Sequence, residues 1–267
     1  MMQIQSKETE EIVLQLTTFF TPAEIVSREA SPHDIYIVID VIRATTTIAV
    51  MFDQGAACVL VAGTIEQAQE AAQKKPGRLL CGERNVKPIP GFDYGNSPSQ
   101  FSQLDLSGRE LILTTTNGTR AFYACPEGVT RLDGSLYNAR AVTSYALQLA
   151  QVRDSNIALV CSGEFDYFAL DDTVCAGYLA LTLSEQHKTS SVKLPPLHLH
   201  ESAHAAIALY ETYKPPKVID HCRSALSVIE AGLPEDVHFC MQTNMSKSIP
   251  MVVGKEKETG LLMLERV

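Results

Sequence analysis

Residues 35–47 read IYIVIDVIRATTT. The opening IYIVI is aromatic and β-branched throughout, the composition of a strand buried on both faces. The chain then turns to an acid, Asp40, a base, Arg43, and three hydroxyls, Thr45 to Thr47. Open parallel sheets collect ligands at the carboxyl ends of their strands, so this stretch predicts both an α/β fold and a place to look for its site.

The rest of the chain extends the pattern. IVLQLTTFF (12–20), CVLVAG (58–63), RLLCGE (78–83), ELILTT (110–115), NIALVCSG (156–163) and VHFCM (237–241) read as strands. Segments 64–74, 119–125, 137–152 and 171–187 place Ala, Leu and Gln at helical spacing between them. Alternating strands and helices predict a three-layer α/β/α fold with a largely parallel sheet. Residues 1–267 are expected to form a single domain, with a smaller helical excursion around 190–232 between KTSSVKLPP (188–196) and the region beyond a second KPP at 214–216. The aperiodic stretch 84–101 (RNVKPIPGFDYGNSPSQF) is a long loop of the kind that tends to carry function, and SIPMVVGKEKETGLLMLERV (248–267) reads as a closing hairpin.

Composition narrows the function classes. The 22 basic and 31 acidic residues leave a net charge of -9, which argues against nucleic acid or an anionic membrane as a partner. A small anionic substrate would need a local cluster of cations and N–H groups. The seven cysteines are scattered without a C-x-x-C pair, so neither a disulfide framework nor a cysteine–zinc module is indicated, and a reducing cytoplasm is expected. No apolar run reaches membrane-span length and the N-terminus is polar, so a soluble protein is expected. A homo-oligomer, a dimer by default, is the general expectation for soluble enzymes.

Polar residues recur at the predicted strand ends. Asp40, Arg43 and Thr45 follow one strand, and Glu83, Arg84 and Asn85 a second. Thr116, Asn117, Gly118, Thr119 and Arg120 follow a third, and Ser162 and Gly163 a fourth. Thr45 to Thr47 and the Asn117-Gly118 turn have ordinary readings as helix caps and turn residues. The coincidence of three arginines with hydroxyls and amides points instead to phosphate or sulfonate recognition. Carboxylates in the same pocket would repel such a guest unless a hard cation lay between them, as Mg²⁺ does through one or two carboxylates and substrate oxygens. The acid pair Asp171-Asp172 opens a helix, and one of the two is spare for a metal or a proton.

With these residues in place, the sequence resembles the 2-phosphosulfolactate phosphatase family, magnesium-dependent phosphatases associated with coenzyme M biosynthesis. The resemblance runs in order through VIDVIRATTTIAVMFDQGA, CGERNVKPIPGFDYGNSPSQF, LILTTTNGTRAF and CSGEFDYFALDDTVCAG, and extends to GLPEDVHFC. It implies a mixed sheet flanked by helices and hydrolysis of a phosphomonoester on a small sulfonated acid. It also marks Asp40, Arg43, Glu83, Arg84, Asn85, Thr116, Asn117, Gly118, Ser162 and Asp172 as pocket residues. Segment 221–233 (HCRSALSVIEAGL) departs from the more basic, Gly-containing pattern of the family, with Ala225 and Leu226 in its place. The expected division of labour is a Mg²⁺ site from Asp40, Glu83 and Asp172, with Arg43, Arg84 and Arg120 sharing the substrate's anionic groups.

Three rival readings remain on the residues alone. HESAH (200–204) matches the H-E-x-x-H zinc pattern. Asp40, Lys87 and Cys161 could form a cysteine hydrolase of isochorismatase-like type. A non-catalytic binder of a phosphorylated or sulfonated metabolite would need the same arginines.

Overall fold

The structure, a computed structural model, describes residues 13–27, 30–192 and 194–267. In chain order the elements are β1 (Leu14–Phe19), β2 (Ile35–Ile39), α1 (Ala44–Asp53), β3 (Cys58–Val61), α2 (Ile65–Lys74), β4 (Leu79–Arg84), β5 (Lys87–Pro88) and α3 (Pro98–Phe101). There follow β6 (Glu110–Thr114), α4 (Gly118–Ala124), β7 (Thr130–Gly134), α5 (Ala139–Arg153), β8 (Ile157–Cys161) and α6 (Leu170–Thr189). The chain closes with β9 (Leu197–Leu199), α7 (Glu201–Thr212), α8 (Arg223–Glu230), α9 (Pro234–Cys240), β10 (Pro250–Lys255) and β11 (Leu262–Arg266).

The strands form one mixed sheet in the order β5-β4-β6-β3-β11-β10-β7-β2-β8-β1-β9. β2 and β8 are buried at every position, which explains their unbroken apolar sequences. Alternation divides their side chains between two layers. Ile35, Ile37, Ile39, Ile157 and Leu159 pack with Val142 of α5 and Val174 and Leu179 of α6. Tyr36, Val38, Ala158 and Val160 pack on the other face with Ile48 and Phe52 of α1 and Phe122 of α4. The architecture is the expected three-layer α/β/α. Residues 190–232 supply β9, α7 and α8, and β9 joins the edge of the sheet beside β1.

The C-terminal hairpin forms as the sequence indicates, yet it lies in the interior of the sheet. β11 pairs antiparallel with β3 through Leu262–Val61 and Leu264–Val59, and β10 pairs antiparallel with β7 through Met251–Leu132. It thus joins two parallel blocks, β4-β6-β3 and β7-β2-β8-β1-β9.

Two readings of the sequence require correction. VHFCM (237–241), expected as a strand, is the last part of α9 and its C-cap; five apolar residues are too few to tell the two periodicities apart. β7, TRLDG, was not expected because Arg131 and Asp133 interrupt its apolar pattern, although both are buried. No helix among the described residues is long and apolar enough to cross a membrane.

Leu264 is fully buried at the centre of the sheet. Leu264→Ala is expected to lower stability by about 2–5 kcal/mol, the range for a large core deletion. Urea titration against the wild type measures it, and a loss below about 1 kcal/mol would show that the hairpin is not part of the cooperative core.

Candidate active site

A cavity of about 390 Å³ opens at the carboxyl ends of the strands. Asp40 enters it from β2, Glu83 from β4, Thr116 and Asn117 from the turn after β6, and Ser162 and Gly163 from the turn after β8. Asp171 and Asp172 come from the first turn of α6, and Arg223, Ser224 and Ser227 form the facing wall on α8.

Local bonding explains how each acid is held. The carbonyl of Asp40 accepts from the Thr45 N–H (3.0 Å) and the Thr45 hydroxyl (2.9 Å), and the Asp40 N–H donates to that same hydroxyl (3.1 Å). The Thr46 hydroxyl donates to the Val41 carbonyl at 2.9 Å. The threonines expected as caps and phosphate contacts therefore lie inside α1 and tie it back to the end of β2; Thr45 does not line the cavity. The Ala44 N–H donates to Asp40 Oδ1 at 3.3 Å. On the other side a Cβ on Gly118 would stand 2.5 Å from Asp40 Oδ2 and 2.7 Å from the Ala44 Cβ, so the α4 backbone can approach this carboxyl only as glycine.

Glu83 and Asp172 are saturated in a different way. Glu83 accepts from the Thr116 N–H (2.7 Å), the Thr116 hydroxyl (3.1 Å) and the Val86 N–H (2.9 Å). Asp172 accepts from the Val41 N–H (2.9 Å), the Ser162 hydroxyl (2.9 Å) and the Gly163 N–H (3.0 Å). These two acids bind strand ends together across the sheet. Asp171 has one satisfied oxygen, Oδ2, which accepts from the Ser224 hydroxyl at 2.5 Å. Its Oδ1 is buried without a hydrogen-bond partner.

So many acids out of water raise one another's pKa. Burial, with the nearby charges of Glu83 and Asp171, moves Asp40 up to about 7. Burial also raises Asp171, and burial together with Asp171 and Asp40 holds Asp172 well above the usual carboxylate range. Asp133 on β7 is fully buried, neither of its oxygens has a partner, and burial with the charge of Asp40 pushes it far up as well.

The donor set is all oxygen and collectively short of positive charge, which suits a hard cation. Among the described residues no three Asp, Glu, His or Cys side chains converge closely enough to form a metal cage alone. The expected Asp40, Glu83 and Asp172 set is therefore not assembled as such, because Glu83 and Asp172 are committed to main-chain amides. Asp40 and the open Oδ1 of Asp171 fit a cation that keeps most of its waters.

The arginines separate. Arg43 lines the cavity, with Nη1 2.8 Å from Asp236 Oδ2 and Nη2 donating to the Val86 carbonyl at 2.9 Å. Arg84 turns away and donates to the Glu83 carbonyl and the Thr114 hydroxyl. Arg120 pairs with both oxygens of Asp166 at 2.9 Å and borders a neighbouring cleft. Neither lines the main cavity, nor do Gly118 and Thr119; the Thr119 hydroxyl and N–H bond back to Thr115. Asn85, Thr116, Asn117, Ser162 and Gly163 do line it. Arg223, Lys87, Asn96 and Ser224 line it too, outside the expected binding set. The departure at 221–233 was the one signal that α8 faces the cavity.

Two rival readings lose their geometry. Cys161 is fully buried on β8, outside the cavity lining, and burial beside Asp172 pushes its thiol well above the ordinary range, so no thiolate is available there. His200 is the N-cap of α7, and its Nδ1 accepts from the Ser202 N–H, so HESAH opens a helix with a capping histidine.

Comparison with known proteins gives a consistent picture. Residues 19–255 match the family model described as 2-phosphosulpholactate phosphatase. A protein of Carboxydothermus hydrogenoformans named "Probable 2-phosphosulfolactate phosphatase" is 31% identical over 237 residues, covering 89% of this chain and 92% of that protein. Proteins of the same name from Deinococcus radiodurans and Thermotoga maritima are 34% and 33% identical, covering 86% and 82% of this chain and 92% and 88% of their own.

The raised Asp40 sets a pH dependence. Its folded form keeps a proton that the unfolded chain, with an ordinary carboxyl near 3.8, has lost, so between about 4 and about 7 stability falls as pH rises. Asp40→Asn should flatten part of this slope and be more stable than the wild type at pH 8 by about 1–3 kcal/mol, with a smaller gap at pH 5. Thermal melts of both proteins in chelator at the two pH values test this; a gap that is equal or larger at pH 5 contradicts it.

Proposed function

The chain belongs to the 2-phosphosulfolactate phosphatase family, and from that premise we propose that it hydrolyses the phosphomonoester of 2-phospho-3-sulfolactate to 3-sulfolactate and inorganic phosphate, with Mg²⁺. The observation that carries the reading is the meeting, in one cavity, of crowded buried carboxylates with the fixed guanidinium of Arg43. Carboxylates alone would expel a phosphate dianion, and a guanidinium alone would not require four buried acids beside it.

Asp40 and Asp171 would hold the cation, in place of the Asp40, Glu83 and Asp172 set expected from the sequence. Bound there, Mg²⁺ would supply charge neutralisation for the phosphate and the acids. The remaining work falls to the chain. Arg43 faces the equatorial phosphate oxygens, where charge accumulates during transfer. Thr116 and Asn117 stand at the same wall, positioned by Glu83 and by the Asn117 Oδ1 contact to the Phe165 N–H at 3.2 Å. Glu83 and Asp172 act as struts that fix these groups before substrate arrives, so little reorganisation is left for the reaction itself. On the opposite wall Arg223 and Ser227 face the organic acid end of the substrate. In balance, water adds to phosphorus, the ester P–O bond breaks, and the water proton passes to the departing alcohol oxygen.

The decisive assay is phosphate release from 2-phospho-3-sulfolactate, with and without Mg²⁺. Wild type should turn over only with the cation, and Asp40→Asn should lose at least about 100-fold in kcat, the scale of removing one electrostatic element. Cys161→Ser should retain wild-type turnover. Full activity in Asp40→Asn would remove the acid cluster from the chemistry, and binding without turnover would favour the non-catalytic reading.

A further inference from the structure

We infer that Asp236 is the positioning residue for the phosphate-binding arginine, holding Arg43 in the one orientation that presents it to the cavity. The inference rests on the reading of Arg43 as the phosphate ligand. Asp236 lies on α9, nearly two hundred residues along the chain from Arg43, and does not line the cavity, so it touches no substrate. Its side chain is completely buried, and that of Arg43 is 3% exposed. A buried carboxylate needs all its lone pairs met, and this one is met from two sides. Oδ2 accepts from Arg43 Nη1 at 2.8 Å. Oδ1 accepts from the hydroxyls of Ser97 at 2.6 Å and Ser99 at 2.5 Å, with the Ser99 N–H at 3.3 Å.

The serines fix the carboxylate plane, and the carboxylate fixes the guanidinium. Ser97 is the N-cap of α3, accepting from the Gln100 N–H at 3.2 Å, so its own position is set by the helix it opens. A second anchor, the Val86 carbonyl, takes Nη2, and Val86 is in turn held by Glu83 through its N–H. Neither anchor uses Nε. A planar fork with both terminal nitrogens tied cannot rotate, and its remaining N–H groups are directed by the protein alone. A lysine or an untied arginine would lose this orientation to side-chain entropy.

The test reads phosphate affinity, independent of turnover, so that a failed phosphatase assay and a failed positioning role give different results. Inorganic phosphate binding is measured by calorimetry, in Mg²⁺ throughout, on wild type, Asp236→Asn, Arg43→Gln and the double variant, with thermal melts of all four. Asp236→Asn should weaken phosphate binding about tenfold, the scale of a hydrogen bond to a charged group. In the Arg43→Gln background the same change should add less than about twofold, because its effect runs through the arginine. Ser97→Ala/Ser99→Ala, which leaves the ion pair but frees its carboxylate, should weaken binding about threefold. If Asp236→Asn does not fold, this serine variant decides the question. Unchanged affinity in Asp236→Asn, or in the serine variant where that one must decide, overturns the inference. So does an equal loss with and without Arg43. In the assay of phosphate release, a positioning role predicts that KM rises and kcat falls together, while a purely structural role moves only the melting temperature.

Discussion

Four buried carboxylates, Asp40, Glu83, Asp171 and Asp172, share the wall of one cavity, and the constraint that shapes everything around them is that none can be left to water. Glu83 and Asp172 are each supported by main-chain N–H groups contributed from other strand ends, and Asp40 by the Ala44 N–H at the start of α1. Such support has a geometric cost and a geometric benefit. It forces the chain after β2, β4, β6 and β8 into specific turns, and those same turns carry the groups that face a ligand. Rigidity of the site is thus a by-product of satisfying its buried acids. The threonines after β2 belong to the same economy: Thr45 and Thr46 return their hydroxyls to the carbonyls of Asp40 and Val41, just past the strand, and lock the entry to α1.

Within that frame the cationic side is sparse. Arg43 is the only one of the three expected arginines that lines the main cavity, and its charge is already shared with Asp236. A dianionic guest would therefore meet a wall crowded with carboxyl groups, which is the electrostatic reason that a divalent cation belongs in the reading of its chemistry. Arg84 and Arg120 have a different use. Arg120 clamps the 163–169 turn through Asp166, beside the Asn117 contact to Phe165, and so keeps the rim in place.

Much of this could be read from the sequence, and the exceptions have physical causes. The unbroken apolar runs of β2 and β8 announce a doubly covered parallel sheet, and the strand-end rule then locates Asp40, Glu83, Thr116, Asn117 and Ser162 without further help. Side-chain direction is another matter. Arg84 follows Glu83 along β4, and alternation sends neighbours to opposite sides, so adjacency to a site residue was a poor guide to membership. Asp171 and Asp172 were legible as a pair, but which one was saturated depended on Val41, Ser162 and Gly163 arriving from elsewhere. Asp236, on a helix whose later part was read as a strand, carried no signal beyond its place in the GLPEDVHFC stretch of the resemblance. β7 was hidden by Arg131 and Asp133, whose burial no single-sequence pattern anticipates.

The placement of β10 and β11 has a bearing on how the protein is made. Until residues 250–266 leave the ribosome, β3 and β7 each expose an edge with no neighbour, and the two parallel blocks have nothing to join them. Nascent chains are left with open strand edges until the hairpin arrives, a state prone to pair with other chains. A proteolytic cut just before the hairpin would strip β3 and β7 of these neighbours and leave a product fit for aggregation or degradation.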